Sequence, residues 1–425
     1  MKDLFKFIVA FFLGLLARAV VCRYRPHIVM VTGSVGKTST KDAVAAVLAA
    51  RFFVRKSDKS FNSEFGVPFT ILGADNPWGN PLAWLSLVKH AIVLLILPNH
   101  YPNMLVLEVG ADRPGDLERI LSIATPDAVV VTRLPDIPVH VEAYASPEAV
   151  REEEFSPAHA LSAAAPLIIC ADDPYAIESA KSTPAQVSTY GVAVGAGVHI
   201  KMVDFNETDG VVSGMRASIT SGGESGELVV KGSVGSTTQV LPMVAALAVA
   251  KAFDISLTDA LLALDAYEPP PGRGRLLAGK DGSLIIDDSY NASPIAVEKA
   301  LATLAYFPHA TRRIAVLGDM LELGRYSVAE HARIGALARD SADLVVAVGI
   351  RARAFANAEG RAEVLLFDNS HAAADAISEI ILPGDVVLVK GSQSIRTERI
   401  VKALLADPAD AEKLVRQESA WQRKV

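Results

Sequence analysis

Residues Thr32 to Ser39 read TGSVGKTS and stand between an apolar run, HIVMV from His27, and a stretch of helical period, TKDAVAAVLAARF. A glycine-rich turn that joins a strand to a helix gathers backbone N–H groups at the positive end of the helix dipole, where an anion can be held. In that frame Gly33 and Gly36 let the backbone approach phosphate oxygens, with Ser34 and Ser39 beside them. Lys37 would neutralise the β- and γ-phosphates, and the Thr38 hydroxyl could ligate Mg²⁺. An ordinary turn that only caps a helix has no use for the lysine–threonine pair. The expected ligands are ATP and Mg²⁺. The spacing is G-x-x-G-K-T, tighter than the common form, because Val31 stands where a first glycine would be.

Glu108 ends a second apolar run, MLVLEVGA, from Met104 to Ala111. A lone carboxylate there is costly unless a cation or hydrogen-bond donors meet it, so a metal partner and a strand-end carboxylate fed by backbone N–H groups are the two readings. His140 follows the next strand. It is one of nine scattered histidines, and taken by itself it reads as structural rather than as a ligand.

Elements must bring these residues together. Apolar strands at Met104 to Ala111, Asp127 to Thr132 and Pro166 to Asp173 alternate with helical stretches, which implies a parallel sheet covered on both faces. Val187 to Lys231, rich in Val, Thr and Gly, reads as antiparallel strands appended to that sheet. The stretch EPPPGRGR, Glu268 to Arg275, stiffens and then loosens the chain and marks a boundary. Beyond it SLIIDDS, RRIAVLGD, ADLVVAVG, EVLLFD and DVVLVKGS are again strands between helices. The expected fold is α/β: a P-loop ATPase domain with a mostly parallel sheet over 26–270, then a Rossmann-like α/β domain over 271–425.

With 425 residues, 51% of them hydrophobic and 21% charged, the chain has length for two or three domains and is neither disordered nor a multi-span membrane protein. Lys plus Arg at 41 against Asp plus Glu at 48 gives −7, which argues against a grip on nucleic acid. Cys22 and Cys170 are too few for a disulfide framework or a thiolate zinc site, so a reducing cytoplasm is the expected location. The apolar run from Leu4 to Cys22 is interrupted by Lys6 and Arg18. For residues 1–25 two placements stay open: a helix at the inner face of the membrane, or one packed on the protein. A cleaved signal peptide fits worse, since no small-residue cleavage site follows and export would part the site from its ATP.

Together the motifs resemble the Mur ligase family from about Pro26 to Leu405. The likeness rests on TGSVGKTSTK, FNSEFGVPFTIL (Phe61 to Leu72), LVLEVGADRPGDL (Leu105 to Leu117), PVHVE (Pro138 to Glu142) and ADDP (Ala171 to Pro174), then on PGRGRL, IIDDSYNASP, VLGDMLELG with His331 downstream, and LVKGSQS. One glycine loop is weak evidence, but ordered motifs across two domains are strong. The resemblance implies ATP-dependent amide formation through an acyl phosphate, in a cell-wall ligase of the type that adds D-Ala-D-Ala to a precursor peptide. Its partners would be a small-molecule or peptide acid and an amine. It assigns Lys37 to the phosphates, Thr38 and Glu108 to one Mg²⁺, and Glu108 with His140 to a second. Asn62 and Glu64 would lie near the acyl substrate. Arg273 and Asp288 would reach ATP from the second domain, with Arg275 a nearby substitute. Asn291, His331, Lys390 and Ser392 would serve the incoming amine, each with an alternative as an Asx turn, a helix-face histidine or a solvated lysine.

Three departures from the family pattern stand out. Only about thirty residues precede the glycine loop, where the family carries a domain for the UDP-sugar. Thr238 and Pro242 stand where its histidine and asparagine would be. Glu154, in REEEF, takes the place of a lysine that the family carbamylates, so Glu154 would present a carboxylate directly while Glu152 and Glu153 remain a solvated face. The competing readings are a poly-γ-glutamate or folyl-polyglutamate type of ligase, and a regulatory protein that keeps the ATP loop without ligating.

Overall fold

The structure, a computed structural model, describes residues 2–58, 62–77, 80–417 and 421, with side chains except those of 2–7 and 238. Phe61 and the side chains of Lys2, Lys6 and Thr238 therefore lie outside what is described. Strand β1 (His27–Thr32) is apolar at consecutive positions because both of its faces are covered. Val29 and Val31 point to one core, shared with helix α2 (Lys37–Leu48) and helix α8 (Thr237–Ala252). Ile28 and Met30 point to another, shared with helix α1 (Lys2–Tyr24), α3 (Gly66–Leu72), α4 (Pro81–Ile96) and α5 (Asp116–Ile123).

Around β1 runs a nine-stranded sheet of order β2-β3-β1-β4-β5-β6-β7-β8-β9. Its strands are β2 (Val54–Lys56), β3 (Met104–Glu108), β4 (Ala128–Val131), β5 (Pro166–Cys170), β6 (Gln186–Gly191), β7 (Val198–Thr208), β8 (Val211–Ser221) and β9 (Glu224–Lys231). The expected run of antiparallel strands from Val187 needs correction. β6 pairs parallel with β5, because α7 (Pro174–Ala180) supplies a helical crossover, and β7 joins β6 in parallel at Tyr190–Val198 and Gly191–His199. Only β7, β8 and β9 are mutually antiparallel. Their turns, Asp209-Gly210 and Gly222-Gly223, carry positive φ at both residues, the two-residue hairpin geometry that matches strand twist. Helix α6 (Pro147–Phe155) carries REEEF, and α9 (Leu257–Asp265) leads to the proline-rich stretch.

Arg275 opens a second sheet, of order β10-β11-β15-β12-β13-β14. It comprises β10 (Arg275–Ala278), β11 (Leu284–Asp288), β12 (Arg312–Gly318), β13 (Leu344–Val348), β14 (Glu363–Phe367) and β15 (Asp385–Lys390), parallel except for β10 at one edge. Helices α10 (Pro294–Ala305), α11 (Ser327–Ser341), α12 (Ser370–Ile380) and α13 (Glu398–Leu404) complete this half.

Of the two placements expected for the N-terminal segment, packing is observed. Leu13, Ala17 and Val20 are buried against α3, α4 and α5, and Arg23 and Tyr24 donate hydrogen bonds to carbonyls at the end of α4. Among the described residues no helix is long and apolar enough to cross a membrane. Ile8, Phe11, Phe12 and Leu15 remain exposed.

Candidate active site

In open α/β sheets ligands gather outside the carboxyl ends of parallel strands. β1 ends in the glycine loop, β3 in Glu108, β11 in Asp288 and β15 in Lys390, and the carboxyl ends of the two sheets face one cleft of ≈ 710 Å³. Ser34, Gly36, Lys37, Thr38, Asn62, Glu108 and His140 line it from the first half. Arg273, Asn291, Lys390 and Ser392 line it from the second, and Asp288 lines an adjoining pocket with Gly36, Ser39 and Arg273.

The loop is built so that only glycine fits at its first position. Gly33 has φ +115°, and a Cβ there would meet Thr132 Oγ1 at 2.3 Å. Gly36, at φ 89°, caps α2, while Ser34 and Val35 donate backbone bonds to Arg133 O. Lys37 Nζ donates to Gly33 O and lies 3.6 Å from Glu154 Oε1. Thr38 Oγ1 donates to Glu108 Oε1 at 3.1 Å. Glu108 is buried, and its Oε2 has no hydrogen-bond partner among the described residues. Burial raises its pKa, against the opposing charges of Lys41 and Lys37. A buried carboxylate oxygen left open beside a threonine hydroxyl fits a divalent cation. Among the described residues no three acidic, His or Cys side chains form a cage.

His140 adopts φ 65° and sits between two carboxylates, Glu322 Oε2 at 2.9 Å from Nδ1 and Asp112 Oδ1 at 3.6 Å from Nε2. Burial would lower its pKa, but the hydrogen bond and charge of Glu322, with Asp112, outweigh it and the pKa rises. Glu322 comes from the GDMLELG loop of the second half, so the pair spans the cleft.

REEEF is not one solvated face. Glu154 is 1% exposed, accepts a hydrogen bond from Ser34 Oγ, and has its pKa raised by burial against the pull of Lys37. Glu153 Oε1 accepts from Gly115 N and Leu117 N, both at 3.1 Å, and so caps α5. Glu152 accepts from the Tyr175 hydroxyl at 3.0 Å.

In the second half Lys390 Nζ donates to Asp288 Oδ2 at 2.6 Å and to Asn291 O at 3.1 Å. The Arg273 guanidinium lies 4.2 Å from the centre of the Tyr290 ring. Ser392 Oγ accepts from Leu321 N at 2.9 Å and holds the GDMLELG loop. Three sequence candidates do not reach the cleft. His331 is buried, with Nε2 accepting from Met320 N and Nδ1 donating to Ser327 O, so it is the helix-face alternative that applies. Glu64 pairs with Arg119 near the surface, and Arg275 pairs with Glu268. Sequence reasoning missed Lys41, which is buried with Nζ on Ser57 O at 2.8 Å, and Gln239, whose Nε2 holds Arg273 O at 2.9 Å. It also missed Glu322, although the motif that carries it was in view.

Both halves of the chain are similar to known proteins. Residues 31–250 match the Mur ligase middle domain, and residues 272–393 match the Mur ligase glutamate ligase domain. The UDP-N-acetylmuramoyl-tripeptide D-alanyl-D-alanine ligase of Mycobacterium tuberculosis is 32% identical over 406 residues, covering 89% of this chain and 73% of that protein. The enzyme of the same name from Bacillus subtilis is 28% identical over 400 residues, covering 92% and 79%. The solved structure of MurF ligase from Thermotoga maritima in complex with ADP superposes with a TM-score of 0.77 at 25% identity, covering 95% of this chain and 84% of that one. Mycobacterium tuberculosis folylpolyglutamate synthase complexed with ADP, at 16% identity and a TM-score of 0.65, shares the fold and covers 91% and 94%.

Proposed function

We propose, since this chain belongs to the Mur ligase family and is an ATP-dependent peptide ligase, that it joins D-alanyl-D-alanine to the tripeptide of a UDP-linked peptidoglycan precursor. The observation that carries the reading is the cleft itself, where Lys37, Thr38 and Glu108 of one half face Arg273 and the Asp288–Lys390 pair of the other.

In this reading the substrate carboxylate takes the γ-phosphoryl group of ATP, and the incoming amine then displaces phosphate from the acyl phosphate to form the amide. Lys37 holds the β- and γ-phosphates and follows their charge into the transition state. Thr38 and Glu108 would hold one Mg²⁺, and Glu108 with His140 would serve a second, toward which Glu154 would present its carboxylate through a bridging water; bound there, the metal would neutralise phosphate charge. Glu154 is a ready-made carboxylate, so no carbamylation is needed and turnover is indifferent to bicarbonate. Asn62, beside Gly110 and Lys37, faces the acyl end, while Asn291 and Ser392 shape the amine side. Arg273 on the Tyr290 ring and Asp288 meet the nucleotide. The units are 26–270 and 271–425, closing about Glu268 to Arg275 to exclude water from the acyl phosphate. In this reading the enzyme works in the cytoplasm, where ATP and UDP-linked substrates are, and the packed helix α1 turns only its exposed side to the inner face of the membrane.

The test is phosphate and ADP release with the UDP-linked tripeptide and D-alanyl-D-alanine, each omitted in turn. Release that needs both supports the assignment. Release with a γ-glutamyl or folyl acceptor instead would move it to the other ligase type, and basal hydrolysis alone would refute ligation.

A further inference from the structure

Two neighbouring helices leave apolar faces in solvent. On α1 the exposed residues Ile8, Phe11, Phe12 and Leu15 recur at helical spacing, opposite the buried stripe of Leu13, Ala17 and Val20. On α4 the exposed residues are Leu82, Leu85, Val88, Ile92 and Ile96, opposite buried Leu87, Ala91 and Leu94. Phe12 is 60% and Leu82 76% exposed, values that no packing against the rest of the chain explains. The helices touch, and Arg23 and Tyr24 of α1 tie their last turns together through Leu95 O and Leu94 O.

Charge says what covers this face. No Asp or Glu occurs from Leu4 to Lys41 or from Asn76 to Leu107, although the whole chain carries −7. Arg18 continues the exposed stripe of α1 three residues after Leu15, Lys89 lies within that of α4, and Arg25 stands exposed just after α1 ends. Long basic side chains at the edge of an apolar stripe reach outward to a headgroup while their stems lie on hydrocarbon. A second copy seated on the same face would instead bury Arg18 and Lys89 against segments that carry no carboxylate to pair with them. An anionic lipid surface satisfies both the apolar and the basic parts.

We propose that α1 and α4 together form a docking face for the surface of an anionic bilayer, with the apolar stripes entering the acyl boundary and the basic residues meeting lipid phosphates. This deepens, and rests on, the placement of α1 at the membrane, and assigns half of the contact to a helix deep in the chain. The packed stripe of α1 stays in the protein, so the contact is peripheral.

The experiment is co-sedimentation of the full chain with phosphatidylcholine vesicles that contain or lack phosphatidylglycerol. The chain is expected to pellet with the anionic vesicles, to stay mainly in solution with the neutral ones, and to be released by raised salt. Leu85→Asp with Ile92→Asp, on α4 alone, is expected to lower the partition by roughly tenfold or more. Its circular dichroism and binding of an ATP analogue should not change, which separates lost docking from lost folding. If that pair misfolds, Lys89→Glu is read in its place, with a smaller loss that disappears in high salt. Partition that ignores phosphatidylglycerol, or that survives the α4 substitutions, would overturn the proposal. So would a concentration-dependent dimer abolished by the same substitutions, in a chain that vesicles do not retain. Ligation assayed without vesicles on the same preparations keeps the two readings apart, because either can fail while the other holds.

Discussion

Lys37 and Glu154 make one arrangement, an ammonium and a buried carboxylate 3.6 Å apart beside a loop built for phosphate. Lys37→Ala removes the cation that follows the transferring charge, and turnover is expected to fall by about 10³-fold or more with the fold intact, measured as phosphate release and thermal midpoint. Glu154→Gln keeps the shape and removes the charge. Its turnover should fall sharply, and added bicarbonate should change neither the parent nor the variant. A rate that rises with bicarbonate in the parent would place the missing carboxylate elsewhere. Asp287 supplies the pH test. It is fully buried one residue before Asp288, burial pushes its pKa up to about 6, and its Oδ2 has no partner among the described residues. A carboxyl raised in the fold binds its proton more tightly there than in the unfolded chain, so it favours the fold at low pH, and this contribution is lost as pH rises from the ordinary Asp range through about 6. Asp287→Asn should flatten that part of the stability profile, as read by denaturant unfolding between pH 4 and 7.

At the scale of elements, α6 serves three separate places with three successive glutamates. Only the middle one caps another helix. Glu153 meets two N–H groups at the start of α5, where a negative charge also suits the helix dipole. Glu153→Gln is therefore expected to cost about 1 kcal/mol of stability, and Glu152→Gln, an exposed residue that meets the Tyr175 hydroxyl and the His159 ring at the surface, close to nothing. The sequence expectation that both are solvated fails for Glu153 because the partner N–H groups belong to a helix thirty-odd residues earlier, which no local pattern displays. The hairpins β7–β8 and β8–β9 were open to sequence reading through their Asp-Gly and Gly-Gly turns. The parallel pairing of β6 was not, since a strand's direction depends on what connects it.

Across the whole molecule, His140 and Glu322 join the two halves over the cleft at 2.9 Å, and Glu207 and His309 join them again at 3.0 Å. Phe205 packs on the edge of Phe307, with ring centres 5.1 Å apart, between β7 and the loop after α10. If these contacts hold the closed arrangement, Glu322→Gln should widen the cleft, and small-angle scattering of the nucleotide-free chain should show a larger radius of gyration. An unchanged radius would mean that the aromatic contact and the Glu207–His309 pair suffice.

The chemistry was legible because it is local. A loop that must curl round a phosphate needs its glycines, lysine and threonine at fixed spacing, and a carboxylate at the end of an apolar strand declares its cost in the sequence itself. Alternating apolar strands and helical periods likewise settle the α/β class, since consecutive buried positions are what a doubly covered parallel sheet requires. The partners of those residues were decided only in three dimensions. His331 turns its ring nitrogens to the backbone of Met320 and Ser327, Lys390 is held by Asp288, and His140 finds Glu322 from the other half. Each is a contact between residues far apart in the chain, or a choice among donors that burial makes. Sequence states which groups need a partner, and packing states which partner arrives.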